Sequence, residues 1–205
     1  MAGGKVLVFG SGSGIGAPLM RALEQRGVGA VGITRSGRDG SMAADVTDAA
    51  AVQRVFAAHP DATAVVSIVG GRPFRKDATP PDLVGNRHLI DTAKARGLQR
   101  FVLVSTIGAG DSRAAAPLIA RLILGRFMKL KTEAEALLRE SGLDWTVVRP
   151  GHLQDAAPTG RAVLREDPGL SGAVTRADVG VLIAALLDDR ATVGRTYACV
   201  EPRAG

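Results

Sequence analysis

Residues 5–16 have the sequence KVLVFGSGSGIG, and this stretch is the strongest indication of the fold class. Its first half, residues 5–9, is short, apolar and contains β-branched valines, which is typical of a buried strand. Its second half, residues 10–16, has glycine at every second position and precedes a helical pattern. A strand, a glycine-rich turn and a helix in this order predict the first unit of a parallel α/β sheet.

The same alternation continues along the chain. We predict strands at 30–34, 64–69, 101–105 and 144–149, and helices at 15–26, 48–58, 82–96 and 129–141. Gly27, Gly97 and Gly142 each stand between a helix and a strand, where glycine commonly ends a helix. Short apolar strands separated by helices predict a parallel sheet covered on both faces. The predicted fold class is therefore α/β, a doubly wound Rossmann domain with a mostly parallel sheet.

The length and organisation of the chain favour one domain. The 205 residues suit a single hydrophobic core, and no tandem repeat, charge block or low-complexity linker interrupts them. We therefore predict a single dinucleotide-binding domain over residues 1–205. Two longer segments, 70–81 and 108–127, are predicted to be irregular loops after strands. In an open α/β sheet the ligand lies outside the carboxyl ends of the strands, where these segments fall.

The composition argues against several other functions. Aromatic residues make up only 3%, which disfavours a nucleic-acid-stacking surface despite the net charge of +6. A lone Cys199 forms no internal disulfide, and three scattered histidines lack metal-ligand spacing. No leader pattern precedes the first strand, and no apolar stretch reaches about 18 residues. We predict no nucleic acid, no metal, no membrane span and a cytoplasmic location.

The glycine turn predicts a phosphate site. Gly10 permits the tight turn, Gly12 and Gly14 allow the backbone to approach a pyrophosphate, and Gly16 allows close packing of the helix on the strand. The free N–H groups and the partial positive charge of the helix N-terminus then favour an anion. A tight turn without a ligand is the alternative. The predicted cofactor-binding residues of this turn are Gly10, Ser11, Gly12, Ser13, Gly14 and Ile15.

The end of the second predicted strand indicates which dinucleotide binds. NAD sites usually carry an acidic residue there for the ribose hydroxyls. This chain has Arg35, Ser36 and Arg38 instead, and the first acidic residue after the strand is Asp39. Guanidinium groups bind phosphate in bidentate fashion, so the three residues favour the 2′-phosphate of NADP(H). Solvated surface arginines are the alternative.

Several motifs resemble the short-chain dehydrogenase/reductase superfamily. Gly10-xxx-Gly14-x-Gly16 matches its glycine pattern, and Asp45-Val46 resembles the pair that contacts adenine. Segments 97–105, 141–151 and 175–179 resemble the atypical members that consist of a bare NAD(P)-binding domain. These members include the NmrA-like proteins and the biliverdin-IXβ/flavin reductases. The resemblance covers nearly all of the chain.

The resemblance to the biliverdin-IXβ/flavin reductases also implies roles for single residues. Gly70-Gly71-Arg72 stands where that type has a Gly-Thr-Arg loop, and Pro150-Gly151-His152 stands where it has Pro-Pro-His. The resemblance thus implies cofactor contacts at Gly70, Gly71, Arg72 and Pro150. It also implies catalytic positions for Ser105 and Thr106 beside the nicotinamide, for His152 facing the substrate, and for Lys131 at the ribose.

One departure from the superfamily bears on the reaction. The superfamily uses Tyr-xxx-Lys, with tyrosine as proton donor, whereas here Phe127 precedes Lys131 and the only tyrosine is Tyr197. Reduction of a simple ketone is therefore disfavoured. A flavin or a quinone takes its proton from solvent, so hydride transfer to such a conjugated acceptor needs no tyrosine. We predict an NADPH-dependent oxidoreductase of this kind.

Some alternatives stay open at this stage. The rival function is a non-catalytic NADP(H)-sensing regulatory protein of NmrA-like type. His152 is either a proton donor or substrate contact, or else a cofactor-side hydrogen-bonding residue or a plain loop histidine. The apolar and basic segment 117–128 is a lid, a subunit contact or a membrane-surface helix, and the oligomeric state is open.

Overall fold

The computed structural model of the chain describes residues 4–12, 14–38, 40–71 and 79–202. Its strands are β1 Lys5–Phe9, β2 Ala30–Thr34, β3 Met42–Ala43, β4 Ala62–Ser67, β5 Arg100–Val104, β6 Asp144–Pro150, β7 His152–Gln154, β8 Val163–Arg165, β9 Ala173–Thr175 and β10 Arg195–Val200. Its α-helices are α1 Gly16–Gln25, α2 Ala49–Ala58, α3 Asn86–Ala95, α4 Leu118–Arg139 and α5 Arg176–Leu186.

Eight of these strands form one sheet in the order β3-β2-β1-β4-β5-β6-β10-β8. Every neighbouring pair is parallel except β10 with β8. The strand order reverses between β1 and β4, which is the switch point of a doubly wound sheet. The predicted fold class is therefore confirmed. Strands β7 and β9 pair with each other outside this sheet.

Both faces of the sheet are buried, as a parallel sheet requires. Successive side chains of β1 point to opposite faces: Leu7 and Phe9 belong to one hydrophobic cluster, and Val6 and Val8 to another. Helices α2, α3 and α4 cover the first cluster, whereas α1 and α5 cover the second. Valine and other small aliphatic residues fill both layers, which is why so few aromatic residues suffice.

The glycine stops predicted after three helices are confirmed, and side chains cap two helix starts. The carboxylate of Asp48 accepts a hydrogen bond of 2.9 Å from the N–H of Ala50 and so caps α2. Thr175 caps α5 in the same way, accepting 3.0 Å from the N–H of Asp178. Gly27, Gly97 and Gly142 follow α1, α3 and α4 with φ of 68°, 71° and 80°, a left-handed conformation that favours glycine.

Helix α4 differs from the prediction at its start. It begins at Leu118 rather than at residue 129, so most of the predicted loop 108–127 is helical or, at Gly110–Ala115, a 3₁₀ helix. The prediction was wrong because apolar side chains lie on the exposed side of the first turns, where an amphipathic pattern requires polar ones. The predicted helix 82–96 is also modified, since Pro81–Gly85 forms a π-helical turn before α3.

We expect two glycine-to-alanine substitutions to change stability in opposite directions. A Cβ on Gly180 of α5 would lie 2.7 Å from the backbone nitrogen of Leu19 in α1, so Gly180→Ala forces the two helices apart. A Cβ on Gly125 of α4 would meet nothing within 4 Å. Urea unfolding is expected to show a loss of about 1–3 kcal/mol for Gly180→Ala. Gly125→Ala is expected to gain up to about 1 kcal/mol. Equal stability of the two variants would contradict this packing.

Candidate cofactor and substrate site

The carboxyl ends of the central strands bring the predicted site residues to one edge of the sheet. The glycine turn follows β1, residues 69–71 follow β4, and Ser105 and Thr106 follow β5. Pro150 ends β6, the next strand in the sheet. Since β1 and β4 flank the switch point, this edge contains the crevice in which doubly wound sheets bind ligands.

Glycines shape the turn after β1 for steric reasons. Gly10 has a φ of 93°, and its N–H donates a 2.9 Å hydrogen bond to the carbonyl of Ile33 in β2. A Cβ on Gly16 would lie 2.1 Å from the carbonyl oxygen of Gly10, so only glycine fits where α1 meets β1. Gly12 and Gly14 are exposed. Their surface is thus open to a ligand that approaches the backbone.

Among the described residues, no side chain caps the first turn of α1. Its N-cap residue is Ile15, which offers no acceptor to the first N–H groups of the helix. Uncapped N–H groups at a helix start attract an anion. Ser13, a predicted contact in this turn, lies outside the described residues.

Arg176 is a cation beside this turn that the sequence did not reveal. Its Cδ and Nε lie 3.8 Å from the position of a Cβ built on Gly14. Its Nη1 lies 2.9 Å from Oδ1 of the exposed Asp155, at an angle that makes an ion pair without a hydrogen bond. Arg176 opens α5, far along the chain from the turn, and the contact of α5 with α1 brings it there. A guanidinium at this place adds positive charge to the anion site.

The loop after β2 presents the residues predicted to bind a 2′-phosphate. Arg35, Ser36 and Arg38 are all exposed. The loop is folded by Thr34, whose Oγ1 accepts 3.0 Å from the N–H of Gly37. Asp39 lies outside the described residues.

Asp45 and Val46, the predicted adenine contacts, follow β3. Hydrogen bonds from the N–H and the hydroxyl of Thr47 lower the pKa of the Asp45 carboxyl, and the charge of Arg35 adds to this effect. The carbonyl of Val46 lies 2.9 Å from Nδ1 of His88, which gives that histidine a structural contact.

The segment after β4 is held by a buried carboxylate. The N–H of Gly71 donates a 2.6 Å hydrogen bond to Oδ2 of Asp82, a residue that is only 2% exposed. A Cβ on Gly70 would lie 3.2 Å from the other oxygen, Oδ1. Arg72, the predicted third residue of this loop, lies outside the described residues.

Lys131 is buried, and several groups of the protein contact it. Its Nζ donates to the carbonyls of Val69 at 2.7 Å and Val104 at 3.3 Å, beyond the end of β4 and at the end of β5. It also lies 3.2 Å from Oδ1 of Asp82, which pairs with it by charge but accepts no hydrogen bond among the described residues. The phenyl ring of Phe127 lies 5.7 Å from Nζ. An ammonium group has three protons, so the predicted contact of Lys131 with a ribose would use the proton that the two carbonyls leave.

Ser105 belongs to a second buried network. Its hydroxyl donates a 2.6 Å hydrogen bond to Oε1 of Glu135, which is 0% exposed. Arg149 of β6 binds both oxygens of that carboxylate, with Nε at 2.9 Å and Nη2 at 2.7 Å. Arg139 adds a 3.0 Å contact. Ser105 thus gives its only proton to a carboxylate that two guanidinium groups hold in place.

The outer end of this network reaches the surface. Nη1 of Arg149 donates to the carboxylate of Asp111, and this hydrogen bond lowers the pKa of Asp111. Burial alone would lower the pKa of Arg149, but Glu135 and Asp111 outweigh it and raise that pKa. Asp111 and Arg149 therefore both stay charged at neutral pH.

The remaining predicted residues differ in their exposure. Thr106 is half-buried, and its hydroxyl donates a 3.2 Å hydrogen bond to the carbonyl of Ile107. Pro150 is buried, whereas His152 is exposed on β7. Burial raises the pKa of the Cys199 thiol to about 12, so this cysteine stays protonated.

The sequence did not reveal Glu135 and Asp82 as site residues. Glu135 stands four residues after Lys131, so both side chains lie on one face of α4. This four-residue spacing from Lys131 was the feature of the sequence that could have indicated Glu135. The partners of both acids lie far along the chain, and only the folded structure brings them together.

Within the described ranges, no helix has the length and apolar character needed to cross a membrane. Those ranges also contain no group of three side chains placed to ligate a metal ion.

Comparison with known proteins agrees with this geometry. A family model described as NAD(P)H-binding matches residues 10–190. The chain belongs to the NAD(P)H-binding family. The match begins at the glycine turn and ends beyond α5, so it includes every residue predicted for the site.

Similar proteins include two that are named reductases. The structure of ChuY, an anaerobillin reductase from Escherichia coli O157:H7, is 30% identical with a TM-score of 0.85 and 98% coverage of each chain. Sanguinarine reductase of Eschscholzia californica is 33% identical over 103 residues, 48% of this chain and 37% of that protein. A chloroplastic protein of Arabidopsis thaliana is 34% identical over 140 residues, 64% of this chain and 50% of that protein. The chain therefore spans half or less of these two curated plant relatives.

We expect removal of Glu135 to cost far more stability than removal of its neighbour Glu133. Glu135→Ala leaves Arg149 buried without its main partner, which costs about 3–5 kcal/mol. Glu133→Ala, in the same helix, removes only a 3.9 Å surface pair with Lys129 and should change stability by less than about 1 kcal/mol. Urea unfolding measures both. A small effect of Glu135→Ala would mean that the network does not hold the site.

Proposed function

We propose that this member of the NAD(P)H-binding family is an NADPH-dependent reductase of a planar conjugated acceptor, such as a flavin or a quinone. The observation that carries the proposal is the phenyl ring of Phe127, which lies beside Lys131 and offers no proton. ChuY and sanguinarine reductase, both named reductases, support the same class of reaction.

The state of Ser105 supports this choice of acceptor. A simple ketone gains negative charge on one oxygen during reduction and needs a hydrogen-bond or proton donor there. Ser105 gives its proton to Glu135, so toward a ligand its Oγ acts as an acceptor. A flavin or a quinone spreads the added charge over its rings and takes its proton from water. The protein therefore does not have to provide an acid at the end of β5.

The surroundings of the turn support the placement of the cofactor. Residues 10–15 and the uncapped start of α1 would bind the pyrophosphate, and Arg176 beside Gly14 would add a cation. Arg35, Ser36 and Arg38 would bind the 2′-phosphate. When bound, NADPH supplies the hydride.

The residues at the ends of β4, β5 and β6 would form the nicotinamide side of the site. Gly70 and Gly71 offer backbone surface, and Ser105 offers an acceptor. Thr106 offers a hydroxyl whose hydrogen bond among the described residues is the 3.2 Å contact with the carbonyl of Ile107. His152, being exposed, would contact the acceptor or exchange protons with water. We place the reaction in the cytoplasm, as the sequence predicts. The chloroplastic location in the name of the Arabidopsis relative describes that protein.

A second candidate function is an NADP(H) sensor without catalysis. The observation in its favour is that Ser105 and Lys131, two polar groups at the strand ends, are both engaged by the protein. Such a site binds a dinucleotide without offering it a reactive group. Turnover separates the two functions.

We expect Arg35→Ala to weaken NADPH binding about tenfold to a hundredfold and to leave NADH binding nearly unchanged. The reason is that a guanidinium hydrogen bond to phosphate contributes about 1.5–3 kcal/mol, and NADH has no 2′-phosphate. Arg195→Ala is the matched control. Arg195 starts β10, which lies next to the edge strand β8 on the other side of the sheet from β2, and it pairs with Glu166. Calorimetric titration with both dinucleotides measures the effect. Equal affinity of the wild-type protein for NADPH and NADH would remove the argument for NADP(H).

We expect NADPH oxidation with flavins or quinones and none with simple ketones. Phe127→Tyr should change flavin or quinone turnover by less than about tenfold, because the acceptor needs no protein acid. Absorbance of NADPH under identical conditions measures every acceptor. Fast ketone reduction alone would contradict the mechanism, and tight NADPH binding without any turnover would favour the sensor.

A further inference from the structure

The first turns of α4 carry an apolar surface that nothing covers in the described structure. Its four large side chains are 56–77% exposed: Leu118, Ile119, Leu122 and Ile123. Among the described residues, the other large apolar side chain with comparable exposure is Val181, at 50%. An exposed apolar surface of this kind commonly marks a site that binds a protein, a membrane or a ligand.

This surface projects beyond the carboxyl edge of the sheet. Helix α4 has 22 residues and is therefore roughly 33 Å long. Strand β5 has five residues and spans only roughly 17 Å. Lys131, in the second half of α4, binds the carbonyls at the ends of β4 and β5. Residues 118–123 precede it by about two to three and a half turns, so they extend outward on the side of the cofactor crevice.

The charges around the surface have one sign. From residue 112 to residue 132 the chain contains five cations and no acid. Lys131 is buried, and the others are Arg113, Arg121, Arg126 and Lys129. At 3.6 residues per turn, Leu118, Leu122, Arg126 and Lys129 fall within about 80° of the helix circumference. Apolar and basic side chains thus follow each other along one face of α4.

This combination distinguishes between possible occupants. In a two-fold dimer the same surface meets itself, so Arg121 and Arg126 of one copy would face those of the other, and Glu133, the next acid along α4, already pairs with Lys129. An anionic lipid surface complements both features, because its acyl chains accept the apolar side chains and its headgroups attract the cations. We propose that residues 118–129 of α4 dock this protein on the surface of an anionic lipid membrane.

The docking is peripheral. Residues 118–123 make up less than two turns of helix, which can enter the membrane interface but cannot cross a bilayer. This agrees with the absence of a spanning helix among the described residues. Docking by this end of α4 turns the carboxyl edge of the sheet toward the lipid. An apolar acceptor dissolved in the membrane would then lie near the crevice. The surface inference itself holds whether the protein is a reductase or a sensor.

Vesicle co-sedimentation tests the proposal. The full chain is mixed with vesicles of two kinds, at low and at high salt. One kind is pure phosphatidylcholine, and in the other phosphatidylglycerol makes up about one third of the lipid. We expect binding to the anionic vesicles at least about tenfold tighter than to the neutral ones, and weaker binding at high salt. Absence of binding to anionic vesicles at low salt would overturn the proposal.

Surface variants show whether α4 is the contact. Ile119→Ser with Leu122→Ser should weaken vesicle binding about tenfold or more. Arg126→Gln with Lys129→Gln should weaken binding to anionic vesicles only. Val181→Ser on α5 is the matched control and should bind as the wild type. All of these side chains are exposed, and urea unfolding together with NADPH titration checks that the fold and the crevice are kept.

Two further outcomes would overturn the proposal. Equal loss of binding in Val181→Ser would mean that the lipid contact is not specific to α4. The second outcome is measured by light scattering: a dimeric wild type and a monomeric Ile119→Ser, Leu122→Ser variant with unchanged vesicle binding. That result would assign the surface to a second copy of the chain.

Discussion

Two buried charges of α4, one turn apart, hold the carboxyl edge of the sheet together. Lys131 binds carbonyls at the ends of β4 and β5, and Glu135 binds Ser105 after β5 and Arg149 of β6. A buried charge that loses its partner costs about 3–5 kcal/mol, so neither side chain can leave its place freely. One helical turn therefore fixes the ends of three neighbouring strands, and these ends form the floor of the crevice.

The same contacts determine what chemistry is left to the protein. Lys131 donates to two backbone carbonyls and pairs by charge with Asp82, and Ser105 donates its proton to Glu135. Among the described residues, Phe127 is the neighbour of Lys131 where the superfamily has its tyrosine proton donor. In the proposed function, such a site would position a dinucleotide and an acceptor and leave the proton to water. This is a physical reason to expect a conjugated acceptor rather than a ketone.

The sequence predicted the fold where local patterns and tertiary packing agree. Strand β1, its glycine turn and the glycine stops after α1, α3 and α4 follow from residues within a few positions of each other. The start of α4 was missed because its exposed face is apolar, so the usual periodicity is absent there. The site was only partly predictable for another reason. Glu135 and Arg149 are 14 residues apart and Ser105 and Glu135 are 30 apart, and no short motif encodes these pairs.

A crystal structure of the protein with NADPH would test the placement of the cofactor. We expect the pyrophosphate against the backbone N–H groups of residues 10–15 and the 2′-phosphate at Arg35. We also expect the nicotinamide beside Ser105, with Lys131 still bound to the carbonyl of Val69. A dinucleotide bound away from the glycine turn would contradict the assignment of the site. A nicotinamide directed away from the ends of β4 and β5 would contradict its use in reduction.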